Sequence, residues 1–200
     1  MDPSFWNRRY AESEFAYGTE PNDFLVRVVD RIPPGRVLCL AEGQGRNAVF
    51  LAEKGFEVTA VDASDVGLER ARQLASARSV HIETRVADLA DFDLGNAAWD
   101  GIVSIFAHLP PNVRRDVHRR VVAGLRPGGV FVLEAYTPAQ LERKTGGPPV
   151  AELMMEKQAL ESELTGLIFS VFREQTRPVH EGSYHQGLGE VVQVLACKPA

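Results

Sequence analysis

Two glycines and an aspartate in the first third of the chain have the types and spacing of a nucleotide-binding turn. Gly43 and Gly45 come shortly after the apolar run VLCL and precede a helical pattern, and Asp62 ends the next apolar run. Glycines let a backbone come close to a ligand, and the free N–H groups at the start of a helix attract polar or anionic groups. An acid at the end of the second strand can accept hydrogen bonds from ribose hydroxyls. The pattern therefore predicts a site for a ligand that carries an adenosine.

Two classes of adenosine ligand fit this layout, a dinucleotide and S-adenosylmethionine. Gly43, Gly45 and Ala48 satisfy the dinucleotide pattern G-x-G-x-x-G/A, and Asp62 lies about 20 residues further on, as that pattern requires. Against a dinucleotide, the chain has no second domain large enough to carry the site of a hydride acceptor. The glycines and the aspartate by themselves leave both classes open.

The elements that would position these residues alternate between short apolar strands and amphipathic helices. Helices are predicted over about 22–32, 47–55, 65–77, 110–124 and 151–164, with a shorter one near the N-terminus. Strands are predicted over 36–40 and 56–62, in a third segment that ends near Ala87, and over about 100–105 and 130–136. Short apolar strands separated by helices imply a parallel sheet covered on both faces.

The C-terminal part of the chain follows a different pattern. Two long apolar strands are predicted over 167–179 and 190–199, and the polar segment HEGSYHQGLG over 180–189 would join them as a loop. Two such strands with a short polar connection indicate an antiparallel hairpin. The chain is therefore predicted to be an α/β protein whose parallel sheet is closed by a hairpin.

Five segments, in order along the chain, resemble the motifs of the class I (Rossmann-like) S-adenosylmethionine-dependent methyltransferases. They are VLCLAEGQGRN, VTAVDAS, VADLADF, WDGIVSIFAHLP and LRPGGVFVLEAY. The resemblance extends over essentially the whole chain. It implies a doubly wound, mostly parallel sheet of seven strands in the order 3-2-1-4-5-7-6, with strand 7 antiparallel and helices on both faces.

Three further segments resemble the tellurite-resistance and thiopurine methyltransferase-like branch of that family. They are FWNRRYAESEFAYGTEPNDFL, GRNAVFLAEKGFEVTAVDAS and EGSYHQG. The resemblance implies one domain over 1–200. Within it, 1–21 would be an N-terminal lid, 22–136 the cofactor-binding core, and 137–200 a substrate-side insertion followed by the hairpin.

The family resemblance implies S-adenosylmethionine as the cofactor and assigns its binding to residues in loops and at strand ends. These residues are Glu42, Gly43, Gly45, Asn47, Asp62, Ala63, Asp88, Leu89 and Phe106. Asp88 would meet the adenine amino group. The chain departs from the first motif at two positions, because Cys39 stands where the family usually has an acid and Ala41 where it often has glycine. Glu42 could take over contact with the methionyl amino group.

The sequence does not identify a catalytic residue. Methyl transfer from a sulfonium is an in-line displacement, and a general base is needed only when the acceptor carries a proton on its nucleophilic atom. Four candidates would lie near the acceptor: His108 after strand four, Tyr136 at the end of strand five, Tyr17 in the N-terminal segment and His185 in the hairpin loop. His118 is predicted on the solvated face of a basic helix, without a role.

The N-terminal segment is rich in aromatic residues and arginines. Trp6, Tyr10 and Tyr17 belong to an aromatic cluster that precedes the first core helix, and Arg9 could recognise an anionic substrate. A lid must cover apolar cofactor surface and then release it. We therefore expect residues 1–17 to become ordered when cofactor and substrate bind.

Composition narrows the possible partners. The net charge of −5 argues against a nucleic-acid binder, which needs a basic surface. No apolar run has the roughly 18–20 residues of a membrane span, the two cysteines do not form a metal-site pattern, and the N-terminus lacks the apolar region of a secretory signal. We expect a cytoplasmic monomer or homodimer that methylates a small molecule. The alternatives are a non-catalytic S-adenosylmethionine-binding protein and a nucleotide-dependent oxidoreductase.

Overall fold

A computed structural model describes residues 3–12 and 15–200, and within them it contains a sheet of seven strands. The strands are β1 (Arg36–Leu40), β2 (Glu57–Asp62), β3 (Glu83–Val86), β4 (Trp99–Ile105), β5 (Leu125–Tyr136), β6 (Ile168–Glu181) and β7 (His185–Cys197). Their order is β3-β2-β1-β4-β5-β7-β6. Strands β1 to β5 pair in parallel, and β7 is antiparallel to both β5 and β6. The predicted strand order is confirmed.

Six helices of the described part connect or cover these strands. They are α1 (Pro3–Glu12), α2 (Asp23–Val28), α3 (Arg46–Glu53), α4 (Asp65–Ala77), α5 (Pro111–Gly124) and α6 (Lys157–Glu163). Two begin at side-chain caps, because Asn22 accepts hydrogen bonds from the first N–H groups of α2 and Ser64 accepts one from Gly67 of α4. Both caps lie on loops that border the site described below.

The helices cover both faces of the sheet, as the alternation along its strands requires. Along β1, Val37 and Cys39 belong to an apolar core shared with α2, α3 and α4. Leu38 and Leu40, which alternate with them, belong to a second core shared with α5 and α6. Successive side chains of a strand point to opposite faces, so a continuous apolar run such as VLCL is typical of a strand buried on both sides.

The hairpin is longer than the sequence predicted. Strand β6 continues to Glu181 and β7 begins at His185, so the turn covers only 182–184 instead of the predicted loop 180–189. His180 pairs with Gln186, and Glu181 pairs with His185. The polar sequence suggested a loop, but Glu181 and His185 are both buried at this end of the hairpin. Their burial among charged partners, which the sequence pattern does not show, explains why a polar segment stays in the ladder.

Two predictions around α5 and α6 are also wrong. The helix predicted over 151–164 is only the short α6, because the backbone N–H of Met155 donates to the Tyr136 carbonyl (2.9 Å) and ties this segment to the end of β5. His118 is buried, not solvated. Its Nδ1 lies 2.7 Å from the Glu163 carboxylate, which also pairs with Arg114. The face of α5 that reads as solvated is therefore covered by α6.

The lid, core and insertion boundaries assigned from the sequence stay a prediction. Part of the proposed lid, residues 1, 2, 13 and 14, lies outside the described residues.

Candidate functional site

One cavity of about 670 Å³ lies at the carboxyl ends of β1, β2 and β4. The residues that follow or end these strands, Ala41, Asp62 and Phe106, line it. Ligands of doubly wound folds bind at this edge of the sheet, where neighbouring connections leave in opposite directions. Helix α1 and the turn of the hairpin contribute further walls.

The loop between β1 and α3 has the left-handed turns that its glycines predicted. The φ angles are +61° at Gly43 and +89° at Gly45, and Ala41 also adopts a positive φ of 49°. Ala41 therefore adopts the left-handed conformation, although a Cβ atom disfavours that conformation. A Cβ on Gly45 would lie 2.5 Å from that of Ala71, so this glycine allows α3 and α4 to pack closely. Neither Gly43 nor Gly45 lies on the cavity wall.

Glu42 lies on the wall beside the start of α3. Its Oε1 accepts hydrogen bonds from the backbone N–H groups of Asn47 (2.9 Å) and Ala48 (2.8 Å). Burial nevertheless raises the pKa of this carboxyl to about 7, because the two N–H groups and the nearby Arg46 offset only part of the desolvation. A carboxyl with that pKa gains its charge readily when a cation comes close.

Asp62 is the last residue of β2 and Asp88 comes shortly after β3, where the motifs predicted acids, and both line the cavity. The buried Asp62 accepts the backbone N–H groups of Gly43 (2.8 Å) and Ser64 (2.8 Å), and burial raises its pKa despite them. Asp88 is half-buried and accepts the N–H of Ala90 (2.9 Å), which lowers its pKa. A carboxylate oxygen has two lone pairs, so Asp62 can hold its loop and still accept from a ligand.

These groups fit the chemistry of S-adenosylmethionine. Of the nine residues expected to bind it, seven line the cavity: Glu42, Asn47, Asp62, Ala63, Asp88, Leu89 and Phe106. The carboxylates of Asp62 and Asp88 offer acceptors for ribose hydroxyls and an adenine amino group. The buried, apolar Leu89 offers surface for a base, and Glu42 offers a negative charge for an ammonium group. The donors and acceptors needed for each part of the molecule are therefore present in one cavity.

The opposite part of the cavity is aromatic. Phe106, whose φ is +54°, turns its ring onto that of Tyr136 at a centroid distance of 4.6 Å. The rings of His185 and Phe106 meet edge to face with their centroids 4.7 Å apart, and the Tyr17 centroid also lies 4.7 Å from that of His185. Tyr184 completes this region from the hairpin turn. We call the four of these residues that line the cavity the aromatic chamber: Tyr17, Phe106, Tyr184 and His185.

His108 lines the cavity, but both of its ring nitrogens already have contacts. Nδ1 lies 2.9 Å from the Leu153 carbonyl, and Nε2 receives a long contact from the backbone N–H of Tyr136 at 3.5 Å. The ring is also stacked on Tyr136, with an interplanar angle of 9°. Burial lowers the pKa of His108 to about 4, so the ring is neutral and supports the wall.

Tyr136 lies behind the wall rather than on it. Its side chain is fully buried, its hydroxyl has no hydrogen-bond partner among the described residues, and burial raises its pKa. His185 and Tyr17, in contrast, both reach the cavity. Of the four catalytic candidates, three therefore line the cavity and Tyr136 supports it from behind.

A buried network of charges under the aromatic chamber was not predicted. Arg46 pairs with Glu181 at 2.6 Å, and Arg177 pairs with both Glu181 and Glu134. Glu134 is fully buried, in the otherwise apolar run VFVLEAY of β5. A charged residue inside such a run is a signal that could have found the network, because buried charges need partners.

Other wall residues give no such signal. Gly146, Gly147, Pro148 and Pro149 line the cavity from the connection before α6. Gln44 lines it from the glycine loop, and its side-chain oxygen accepts the backbone N–H of Ala16 at 2.7 Å. Their sequence is that of ordinary loops, so only the fold shows where they lie.

Helix α1 packs over the glycine loop. Tyr10 is buried in a notch left by two glycines, because a Cβ on Gly43 or on Gly67 would lie 2.5 Å or 2.8 Å from its side chain. Asn7 holds the helix to α4 through hydrogen bonds with Ser64 and Asp65. Trp6 lines the cavity next to Tyr10, on which it stacks at 5.7 Å.

Arg9 connects α1 to the aromatic chamber. Its guanidinium donates a hydrogen bond to the hydroxyl of Tyr17 at 3.1 Å and lies 4.2 Å from the centre of the Tyr184 ring. The side chain also lines the cavity, as its predicted contact with substrate requires.

Comparison with known sequences gives related proteins. Residues 37–129 match the family described as Methyltransferase domain. The chain is 27% identical to the carboxy-S-adenosyl-L-methionine synthase of Aeromonas hydrophila, over 75% of this chain and 68% of that protein. It is 25% identical to the 2-heptyl-1-hydroxyquinolin-4(1H)-one methyltransferase of Mycobacteroides abscessus (59% and 54%) and 28% identical to the glycine N-methyltransferase of Rattus norvegicus (68% and 52%). The chain thus spans about half the length of the last two relatives.

Solved structures show the same fold. One, from a study of the conversion of a disulfide bond into a thioacetal group during echinomycin biosynthesis, superposes with a TM-score of 0.75 at 20% identity and covers 99% of this chain and 92% of its own. TehB from Haemophilus influenzae superposes with a TM-score of 0.73 at 20% identity, over 88% of this chain and 62% of TehB. At this identity the likeness shows the fold alone, so the tellurite-resistance branch stays a prediction.

In the part of the chain that the structure describes, no helix is long and apolar enough to cross a membrane.

The ordered motifs, the strand order, the matching family and the methyltransferases among the relatives agree with one another and leave the dinucleotide alternative without support. Together these findings support a class I S-adenosylmethionine-dependent methyltransferase.

Proposed function

We propose that this protein transfers the methyl group of S-adenosylmethionine to a small molecule that binds in the aromatic chamber. The observation that carries the proposal is the continuity of the cavity. The acids suited to the adenosine and the rings of the chamber line the same 670 Å³ space, so cofactor and acceptor can meet inside it.

The chain would contribute binding, alignment and exclusion of water. S-adenosylmethionine supplies an electrophilic methyl carbon and a good leaving group when bound. Asp62 and Asp88 would fix the adenosine and Glu42 the methionyl ammonium. Phe106 lines the same cavity as these acids and contacts His185 of the chamber. Alignment of two reactants inside such a site can contribute roughly 7–11 kcal/mol.

A small acceptor is supported by the size and walls of the cavity. Its volume lies within the roughly 300–1,000 Å³ of small-molecule sites. The chamber is closed on one side by α1 and on another by the Gly146–Pro149 loop. One relative is named for methylation of 2-heptyl-1-hydroxyquinolin-4(1H)-one, a small heteroaromatic compound. A cytoplasmic location and a monomeric or homodimeric state remain part of the proposal.

The cofactor assignment is tested by calorimetry with S-adenosylhomocysteine and its inosine analogue. We expect the wild type to prefer adenosine, because Asp88 accepts from the amino group that inosine lacks. In Asp88→Asn the amide can donate to the inosine carbonyl while its oxygen keeps the Ala90 N–H, so the preference should narrow or reverse. Asp88→Asn should weaken the binding of S-adenosylhomocysteine by roughly 1–3 kcal/mol.

Asp62 is less suitable for this test. Its carboxylate holds Gly43 and Ser64, so Asp62→Ala would also disturb the loop.

Equal binding of S-adenosylhomocysteine and its inosine analogue by the wild type would contradict the role given to Asp88.

Transfer itself is tested with a panel of phenols, thiols and metalloid oxyanions, with formation of S-adenosylhomocysteine as the readout. We expect turnover of at least one of these classes. A protein that binds S-adenosylhomocysteine tightly and methylates none of them would be the non-catalytic binding protein instead.

A further inference from the structure

His185 differs from the other histidine of the cavity in its surroundings. His108 has a carbonyl against one nitrogen and a backbone N–H against the other. The Nδ1 of His185 faces a carboxylate, with 3.5 Å between Nδ1 and Oε2 of Glu181, and has no shorter partner among the described residues. Catalytic hydrogen bonds are often long before the substrate binds and tighten afterwards.

Glu181 is fixed in place and ionised. Arg46 binds its Oε2 at 2.6 Å, Arg177 lies 3.2 Å from its Oε1, and the amide of Asn22 donates to Oε1 at 2.9 Å. Burial alone would raise the pKa of Glu181, but these cationic neighbours hold it well below its usual range. A fixed carboxylate opposite Nδ1 favours the tautomer with the proton on Nδ1 and leaves the lone pair on Nε2.

The imidazole itself lies among aromatic rings. Tyr17 and Phe106 have centroids 4.7 Å from it, and Tyr136 lies at 5.3 Å. Burial in these surroundings lowers the pKa of His185, and Glu181 offsets only part of the effect. The ring is therefore neutral near pH 7, able to take a proton, and part of the wall of a chamber whose other members can stack on a flat molecule.

We propose that His185 is a general base that removes the proton from a hydroxyl group on a flat aromatic acceptor, with Glu181 as its positioning residue. The inference rests on the proposed function and names its acceptor class. In the step, the hydroxyl oxygen forms a bond to the methyl carbon of the cofactor. The bond from that carbon to the sulfonium sulfur breaks with its electron pair going to sulfur, and the hydroxyl proton goes to Nε2.

The chemistry of the acceptor follows from the need for a base. A phenol has a pKa near 10 and is almost fully protonated at neutral pH, as the tyrosine side chain is. An oxyanion needs no base, and a thiol, with a pKa near 8.5, needs one much less. A positioned base typically contributes about 10²–10⁴-fold to a reaction.

The first experiment measures kcat/KM for a series of phenols of graded acidity with the wild type, His185→Gln and His180→Gln. His180 is exposed on the same hairpin and serves as the matched control. We expect His185→Gln to lose about 10²–10⁴-fold on unsubstituted phenols and to lose little on nitrophenols that are already ionised. His180→Gln should retain wild-type rates. Calorimetry should show unchanged affinity for S-adenosylhomocysteine in both variants.

A loss in His185→Gln that is the same for every phenol would overturn the inference, because a residue that only shapes the wall affects acidic and weakly acidic acceptors alike. Turnover of thiols or metalloid oxyanions without any phenol would overturn it too, and would leave the proposed function standing. If S-adenosylhomocysteine binds and no acceptor of any class is methylated, the proposed function itself fails.

The second experiment needs no cofactor. Nitrogen-15 NMR of the histidine rings in the free protein should show His185 neutral at pH 7, with its proton on Nδ1. Replacement of Glu181 by glutamine should shift the tautomer equilibrium toward Nε2. A wild-type His185 that is protonated at pH 7, or that carries its proton on Nε2, would overturn the assignment.

Discussion

At the scale of single residues, the position of the acidic group in the glycine loop is the main departure from the family motif. Cys39 stands where the family usually has an acid, and its side chain is fully buried in the core shared with α3 and α4. Glu42, three residues later, lies on the cavity wall and accepts the Asn47 and Ala48 N–H groups at the start of α3. The acidic group of the loop is therefore at position 42 instead of position 39. The raised pKa of Glu42 gives this difference a measurable consequence.

We predict that S-adenosylhomocysteine binding at pH 7 releases about half a proton from Glu42. The pKa of this carboxyl is about 7 in the free protein, so it is about half protonated there, and a bound ammonium group would lower that pKa. The release is measured by calorimetry in two buffers that differ in ionisation enthalpy. Glu42→Gln, whose amide oxygen can still accept the Asn47 and Ala48 N–H groups, should abolish it.

Glu42 also makes the free energy of unfolding depend on pH, and its contribution to stability falls as the pH rises. Because the folded pKa of Glu42 lies above its ordinary value of 4.5, its contribution is fully present below pH 4.5 and is lost as the pH rises through about 7. The free energy of unfolding of Glu42→Gln, relative to the wild type, should therefore rise across this range. Identical pH dependence in the two proteins would show that Glu42 titrates normally.

At the scale of elements, α1 is the segment that we expect to open the site. It contacts α4 and the glycine loop through Asn7 and the ring of Tyr10, and the aromatic chamber through Arg9. Segments with few buried contacts unfold locally at low cost. The close fit of Tyr10 against Gly67 then decides how firmly the helix is held.

We predict that Gly67→Ala releases α1 without unfolding the domain. Gly67 lies in α4, where alanine is favoured over glycine by roughly 0.5–1 kcal/mol, but its Cβ would lie 2.8 Å from the Tyr10 ring and 3.1 Å from the Gly43 carbonyl. Hydrogen exchange should show lost protection in Pro3–Glu12 and retained protection in β1 and β4. The matched control is Gly124→Ala, since Gly124 lies in α5 and a Cβ there would have its nearest atoms at 3.4 Å, an ordinary contact distance.

The lid hypothesis makes a further demand on the same experiment. Addition of S-adenosylhomocysteine with an acceptor should raise the protection of α1 in the wild type. Full protection of α1 in the free protein, together with unfolding of the domain when residues 1–17 are deleted, would show that the aromatic cluster is core.

At the scale of the whole molecule, the sequence predicts those parts of the fold and of the site that its motifs cover. The strand order and the acids at the end of β2 and after β3 follow from apolar runs, glycines and the family resemblance. The remainder depends on which elements meet. His118 read as solvated because nothing in its helix shows that α6 covers it, and Glu181 and His185 read as loop residues because their partners come from distant parts of the chain.

The distant partners of Glu181 belong to a network that ties the hairpin to the cofactor-binding half. Arg177 of β6 donates to Glu134 of β5 and lies near Glu181, while Arg46 of α3 binds Glu181 from the other side. Removal of one member leaves an uncompensated buried charge, which is far more costly than the loss of an exposed ion pair.

We therefore predict that Arg177→Met lowers the free energy of unfolding by about 3–5 kcal/mol, measured by urea denaturation at pH 7. Glu134, which is fully buried, would keep only Asn22 and Gln193 as side-chain partners among the described residues. Arg173→Met is the matched control, because Arg173 is an exposed arginine of the same strand that bonds to Gln193, and its loss should cost within about 1 kcal/mol. Equal destabilisation by the two variants would mean that the hairpin is held by its apolar contacts and strand pairing, and that the charges beneath the chamber serve His185 alone.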